Sequence, residues 1–158
     1  NFQAQKFLQK VSEGHGSGLV FIGFHIRRGD YVRHSKNYNG ISVPGPTYYE
    51  DALKHYRQRF DNVLFVIASD DLIHAKIHLK NHQDVVFTKM KSLEEDMALL
   101  ASCNHSIMTV GSFGWWSSFL AGGDVVYALL SNYNIPPFAH PEMMGSHGFE
   151  NFYGIPVS

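Results

Sequence analysis

The sequence predicts an α/β protein built on a doubly wound parallel sheet of about five strands. Two observations carry this. Short runs of strand-forming residues alternate with segments whose apolar residues recur at helical spacing, and those runs are apolar almost without a break, as in strands covered on both faces. The length agrees: 158 residues is the size of one domain.

The elements follow in order. Phe7, Leu8 and Val11 stand at helical spacing before Gly14, Gly16 and Gly18 stop the pattern, so the chain opens on the tail of a helix. Leu19 to Phe24 reads as the first strand. A polar loop then runs to Pro46, and Thr47-Tyr48-Tyr49-Glu50 has capping-box spacing, opening a helix with Ala52, Leu53, Tyr56 and Phe60 on one face. Val63 to Ala68 predicts a second strand, Leu72 to Leu79 a short helix with Ile73 and Ile77 inward, and Val85 to Phe87 a third strand. Ser92-Leu93-Glu94-Glu95 is another capping box, with Leu93, Met97 and Leu100 on the apolar face of its helix. Ile107 to Val110 is the fourth strand. Gly111-Ser112 leads into a helix where Phe113, Trp116, Phe119 and Leu120 recur, Trp116 being expected in the core; Gly122-Gly123 stops it, and Val125 to Leu129 is the fifth strand. Residues 131–158 carry Pro136, Pro137, Pro141 and Pro156 without any period, and predict an irregular tail lying over the domain formed by residues 1–130.

Hydrophobic residues make up 44% and charged residues 17%, which is ordinary for a folded domain. Thirteen Lys and Arg against fourteen Asp and Glu leave a formal charge of −1. No global positive field draws in nucleic acid or anionic lipid, so an anion needs a local site. The single cysteine, Cys103, excludes an internal disulfide and a Cys-based zinc cage. The longest apolar runs fall far short of the ~18 residues that span a bilayer, and the chain as given is expected to be soluble. It begins at Asn1 rather than Met, which is expected of a trimmed, a processed or an excised form.

In open α/β sheets ligands bind beyond the carboxyl ends of the strands, and three of those ends carry chemistry. The first strand runs into His25-Ile26-Arg27-Arg28-Gly29-Asp30, the second into Ser69-Asp70-Asp71, and the fourth into Gly111-Ser112-Phe113 at a helix start. Of two adjacent arginines, one enters the cleft while the other reaches a carboxylate, and a guanidinium can hold two phosphate oxygens at once. Taken alone, Arg27 and Arg28 are equally well explained by pairing with Asp30 and a neighbouring carboxylate. Gly111-Ser112 offers free amides, a hydroxyl and the positive end of a helix dipole to a phosphate, or is an ordinary cap. Asp70 and Asp71 can receive N–H donors from a ribose or guanine, or cap the following helix. No Gly-x-Gly-x-x-Gly follows the first strand and no Gly-x-x-x-x-Gly-Lys occurs, so a different nucleotide-diphosphate site is required.

Other signals are set aside. His74, His78 and His82 are four apart but have no fixed acidic or Cys partner, and read as an exposed stripe rather than a metal site. Arg28-Gly29-Asp30 spells an adhesion tripeptide but abuts a buried strand. Asn104-His105-Ser106 is a glycosylation sequon that has meaning only in a secretory protein, and Trp115 and Trp116 are candidates for stacking on a sugar.

The stretch His25-Ile26-Arg27-Arg28-Gly29-Asp30-Tyr31-Val32, the block from Asp96 through Asn104-His105-Ser106-Ile107-Met108-Thr109-Val110-Gly111-Ser112-Phe113-Gly114 to Trp116, and Leu120-Ala121-Gly122-Gly123-Asp124 resemble the galactoside α-1,2-fucosyltransferases, glycosyltransferase family 11. The resemblance covers about residues 20 to 130. It implies a GDP-fucose site in the Rossmann-like C-terminal half of a two-domain GT-B fold. It places His25 by the guanine, Arg27 on the β-phosphate, Asp70 and Asp71 on the guanine, and Ser112 with Phe113 on the phosphates; Arg28 and Gly111 complete the donor-binding set.

The implied reaction is an inverting, metal-independent displacement, in which the 2-hydroxyl of a terminal β-galactose in a glycan acceptor attacks the fucose anomeric carbon. Arg27 meets the charge growing on the leaving GDP, and Asp30 either accepts the hydroxyl proton or orients Arg28. A GT-B catalytic region needs two domains and this length supplies about one, so the chain alone is expected to bind donor weakly and to transfer nothing. Animal members are anchored in the Golgi membrane facing the lumen, through a segment absent from this chain; bacterial members are cytoplasmic. A fucosyltransferase with another acceptor and a non-catalytic GDP-sugar-binding module are the alternatives.

Overall fold

The computed structural model describes residues 2–32, 43–88, 90–130 and 149–157. The elements are α1 (Phe2–Ser12), β1 (Val20–Ile26), α2 (Pro46–Arg57), β2 (Val63–Ser69), α3 (Leu72–Leu79), β3 (Val85–Phe87), α4 (Leu93–Leu100), β4 (His105–Met108), α5 (Ser112–Ala121), β5 (Val125–Leu129) and β6 (Phe152–Pro156). Six strands form one sheet in the order β3-β2-β1-β4-β5-β6, every neighbouring pair parallel. β1 sits centrally, with Val20 opposite Val63 of β2 and Ile22 opposite His105 of β4.

Burial follows from this order. One face packs α2 and α3 on β1 and β2 through Phe24, Ile26, Tyr49, Leu53, Phe65 and Leu79. The other receives α1 and α4, with Ala4, Leu8, Val66 and Leu99 together. The tyrosines of α2 carry their hydroxyls to the sheet: Tyr48 donates to the Met108 carbonyl at 2.7 Å, and Tyr56 to those of Ser106 at 2.9 Å and Asp124 at 2.8 Å. Each buried O–H thereby finds an acceptor, which is what makes a tyrosine admissible in the core. The chain leaves β1 towards β2 on one side and returns from the β3 edge to β4 on the other. The strand order therefore reverses between β1 and β4, and a crevice opens there beyond their carboxyl ends.

Several expectations are corrected. The Thr47 capping box does not form: α2 begins at Pro46, with Gly45 at its cap position and no side-chain cap bond, because proline already presets the first helical turn. Half of the Ser92 box forms: its hydroxyl accepts from the Glu95 amide, but the Glu95 carboxylate accepts from the amide of Lys91, one residue before the cap, instead of from that of Ser92. Ile73 and Ile77 point outward at 77% and 62% exposure, and Ala75 and Leu79 take the buried face of α3. Leu93 is likewise exposed, with Leu99 and Leu100 buried.

Trp116, Phe119 and Leu120 lie on the outer face of α5, whose buried residues are Gly114, Ser117 and Ser118. The helix sits so close to the sheet that a Cβ at Gly114 would stand 2.9 Å from His25 Nδ1 and 3.2 Å from Met108 Cβ, a gap only small residues fit. β4 begins two residues earlier than its apolar run. The segment expected to be irregular also contributes β6, paired with β5 from Val125 opposite Phe152 to Leu129 opposite Pro156. Its Gly154 and Pro156 weaken it as a strand in isolation, and only an edge position tolerates the proline. Residues 131–148 of that expected tail lie outside the described residues.

Candidate functional site

The crevice between β1 and β4 is built from the turn after β1 and the turn before α5. Two consecutive amides leave β1, and each is caught by a neighbouring strand end. The Arg27 amide donates to Thr109 Oγ1 at 2.9 Å, just beyond β4, and the Arg28 amide donates to Asp70 Oδ1 at 2.8 Å, just beyond β2. One helical turn, residues 29–32, follows.

The Arg27 guanidinium contacts Asp70 Oδ2 at 2.9 Å through Nη1 and Asp30 Oδ1 at 2.6 Å through Nη2, and lies 5.7 Å from the centroid of the Tyr31 ring. That ring borders the turn before α5: a Cβ at Gly111 would be 3.5 Å from the Tyr31 hydroxyl. Gly111 has φ +91°, a conformation glycine adopts at little cost. Arg27 and the Gly111 turn thus meet across one aromatic ring. α5 starts at Ser112, so the first amides of the helix have no intrahelical acceptor, and among the described residues no side chain caps them.

Arg28 turns to the other side of the sheet. Its charge acts on the Tyr49 hydroxyl, and its Nε lies 3.6 Å from Asp71 Oδ2. Asp71 also caps α3 by accepting the His74 amide at 3.0 Å. Both carboxylates after β2 are therefore engaged within the protein, Asp70 on the arginine turn and Asp71 on the helix. Asp30 pairs with Arg27 rather than Arg28.

His25 is 7% exposed and lies against Phe113, with ring centroids 4.8 Å apart and planes tilted by 38°. Burial, reinforced by the nearby Arg27 charge, lowers its pKa to about 4. The unfolded chain takes up this proton near the ordinary value of 6.5 and the folded chain does not, so stability falls as the pH drops from about 6.5 to about 4. The loss approaches ~3 kcal/mol, because each tenfold weakening of proton binding corresponds to about 1.36 kcal/mol. Urea unfolding at pH 4.5 and pH 7 measures it, and His25→Gln is expected to flatten that part of the profile.

Arg27, Asp30, Gly111 and the His25–Phe113 pair are gathered at the crevice, whereas Arg28 and Asp71 belong to the α2–α3 side. Thr109, Tyr31 and Tyr49 also take part, although the strand-end motifs do not mark them as candidates. Thr109 is detectable as a polar residue interrupting an apolar run, but the roles of the two tyrosines depend on distant partners.

The histidine stripe divides: His74 and His78 rings lie 4.5 Å apart, while His82 bonds Glu50 at 2.9 Å and Arg57 at 3.2 Å. No group of three potential metal ligands occurs among the described residues. The Asn104 side chain is tied to the sheet, its Oδ1 accepting from the Phe21 amide at 2.8 Å. Among the described residues no helix is long and apolar enough to cross a membrane.

A family model described as glycosyl transferase family 11 matches residues 2–146. The chain is 40% identical over 139 residues to galactoside alpha-(1,2)-fucosyltransferase 2 of Pongo pygmaeus, covering 85% of this chain and 40% of that protein. It is 39% identical over 162 residues to the protein of the same name from Rattus norvegicus, covering 98% and 45%. Galactoside 2-alpha-L-fucosyltransferase SEC1 of Bos taurus is 39% identical over 139 residues, covering 85% and 37%. The chain thus spans less than half the length of these relatives. Among solved structures, the fucosyltransferase NodZ from Bradyrhizobium superposes with a TM-score of 0.47 at 16% identity, covering 76% of this chain and 42% of that one.

Proposed function

Since the chain belongs to glycosyl transferase family 11, we propose that it is the donor-binding part of an enzyme transferring L-fucose from GDP-fucose, with inversion, to the 2-hydroxyl of a terminal β-galactoside. The observation carrying this reading is the meeting of the Arg27 guanidinium and the Gly111–Ser112 turn across Tyr31, where the strand order reverses.

In this reading the pyrophosphate enters the crevice and takes over one face of Arg27. The partner it displaces is Asp30, whose side chain is 51% exposed against 22% for Asp70. The His25–Phe113 pair borders the base, and the amides of Ser112 and Phe113 point at phosphate oxygens. The acceptor oxygen forms a bond to the fucose anomeric carbon as the bond to the β-phosphate oxygen breaks; the electron pair goes to GDP and the hydroxyl proton to a base. Negative charge grows on the departing phosphate, where Arg27 and the helix N-terminus are already oriented, and one such donor contributes about 3–4 kcal/mol. These residues supply the opposing positive charge themselves, so the reading is metal-independent. Before the donor enters, Asp30 holds one side of Arg27; once it is displaced, Asp70 is the carboxylate that remains on the guanidinium. An animal parent protein is read as lumenal in the Golgi.

Calorimetry of the chain with GDP, GDP-fucose, GDP-mannose and ADP tests the donor. GDP and GDP-fucose are expected to bind and ADP is not; equal affinity for guanine and adenine nucleotides overturns the proposal. For the whole enzyme, fucosyl transfer is expected to persist in EDTA, and its loss with recovery on adding a divalent cation refutes the metal-independent step.

A further inference from the structure

We propose that Asp70 and Thr109 are positioning residues, which aim the Arg27 guanidinium by clamping its backbone from the two strands flanking β1. This rests on the donor-site reading above and deepens it. The two amides that leave β1 have acceptors on opposite sides: Thr109 Oγ1 takes Arg27 N–H at 2.9 Å and Asp70 Oδ1 takes Arg28 N–H at 2.8 Å. Such a clamp fixes where the peptide between the two residues lies and which way the first side chain leaves it. Asp70 then uses its second oxygen on the side chain itself, holding Arg27 Nη1 at 2.9 Å.

The approach is close: a Cβ at residue 29 would collide with the Asp70 carboxylate and push it off the arginine turn. Thr109 is 2% exposed, and its hydroxyl also lies 3.5 Å from the His25 carbonyl, so a competing water has no route to it. Asp70, with both oxygens on the arginine turn, acts on the donor through Arg27 rather than by contacting the base.

The sign of one substitution separates this from simple electrostatics. Asp70→Asn removes a negative charge beside the anion site, which by charge alone raises affinity for an anion. As a positioning residue its neutralisation instead lowers affinity, because Arg27 loses its orienting partner. The probes are GDP and inorganic pyrophosphate, titrated calorimetrically into the chain and its variants.

Asp70→Asn is expected to weaken both ligands about three- to tenfold. Thr109→Val, which keeps volume but removes the acceptor, is expected to weaken both about tenfold, and Thr109→Ser to restore affinity to within about threefold. In an Arg27→Ala background neither change has a further effect, since there is no guanidinium left to aim. Unchanged or raised affinity in Asp70→Asn, weakening of GDP but not pyrophosphate, or equal losses with and without Arg27 overturns the proposal. Should Thr109→Val fail to unfold cooperatively, Asp70→Asn and its cycle with Arg27→Ala decide alone. If Arg27→Ala itself binds both probes as the parent chain does, it is the donor-site reading that fails.

Discussion

Arg27→Ala is expected to reduce affinity for GDP and GDP-fucose by at least tenfold, and by as much as ~150-fold, while leaving the fold intact. A hydrogen bond to a charged group contributes about 1.5–3 kcal/mol, and every ~1.4 kcal/mol is a factor of ten. Without donor the guanidinium is one-third exposed and its carboxylate partners keep access to water, so their loss of a counter-ion costs little. Affinity falls and the melting temperature stays within a few degrees; calorimetry and thermal circular dichroism measure the two separately. Arg27→Lys is expected to fall between, because an ammonium keeps the charge without the planar fork that holds two oxygens. Full donor affinity in Arg27→Ala would refute the assigned role.

The largest expected effect on stability is Gly123→Ala. A Cβ there would overlap the Asn104 carbonyl oxygen and stand 2.8 Å from His105 Nδ1. Backbone meets backbone, so no rotamer relieves the clash, and the neighbouring segment is stitched on both sides. The Asp124 amide donates to His105 Nδ1 at 2.9 Å, the Ser106 amide to the Asp124 carbonyl at 2.9 Å, and the Asn151 side chain to the Gly123 carbonyl. Relief means pulling β5 away from β4. The expected loss is about 3 kcal/mol or more, a drop of roughly 6–12 °C in melting temperature.

Gly122→Ala is the control. That glycine closes α5 with φ +75° and has nothing within 4 Å of a Cβ, so only the left-handed backbone is penalised, at about 1–2 kcal/mol. Equal melting temperatures for the two variants would contradict the close approach at residue 123.

These glycines show where sequence reading stops. Gly122-Gly123 reads as one helix-stop signal, yet the first is needed for its own dihedral and the second for the Asn104 carbonyl just ahead of β4. Helix faces behave alike. The spacing of Phe113, Trp116, Phe119 and Leu120 locates α5, but a periodic stripe does not say which way it faces. The sheet approaches so closely that Gly114, Ser117 and Ser118 take the inner side and the aromatics the outer. Ile73 and Ile77 in α3 give way to Ala75 and Leu79 in the same manner. β6 is invisible in the sequence because its pairing energy comes from β5, not from its own residues.

By itself the sequence determined the alternation of strands and helices, because continuous apolar runs and 3.6-residue periods are local properties of the chain. It also determined that Arg27, Asp70 and Gly111 follow strand ends, whereas His25, expected just after the first strand, lies within β1, which runs on to Ile26. Only the tertiary structure decided how they pair: Arg27 with Asp30 and Asp70, Arg28 with Asp71 and Tyr49, and Thr109 beneath the Arg27 amide from 82 residues away. The physical reason is that partner choice depends on the order and register in which parallel strands assemble, and no local pattern encodes contacts between segments brought together by the sheet.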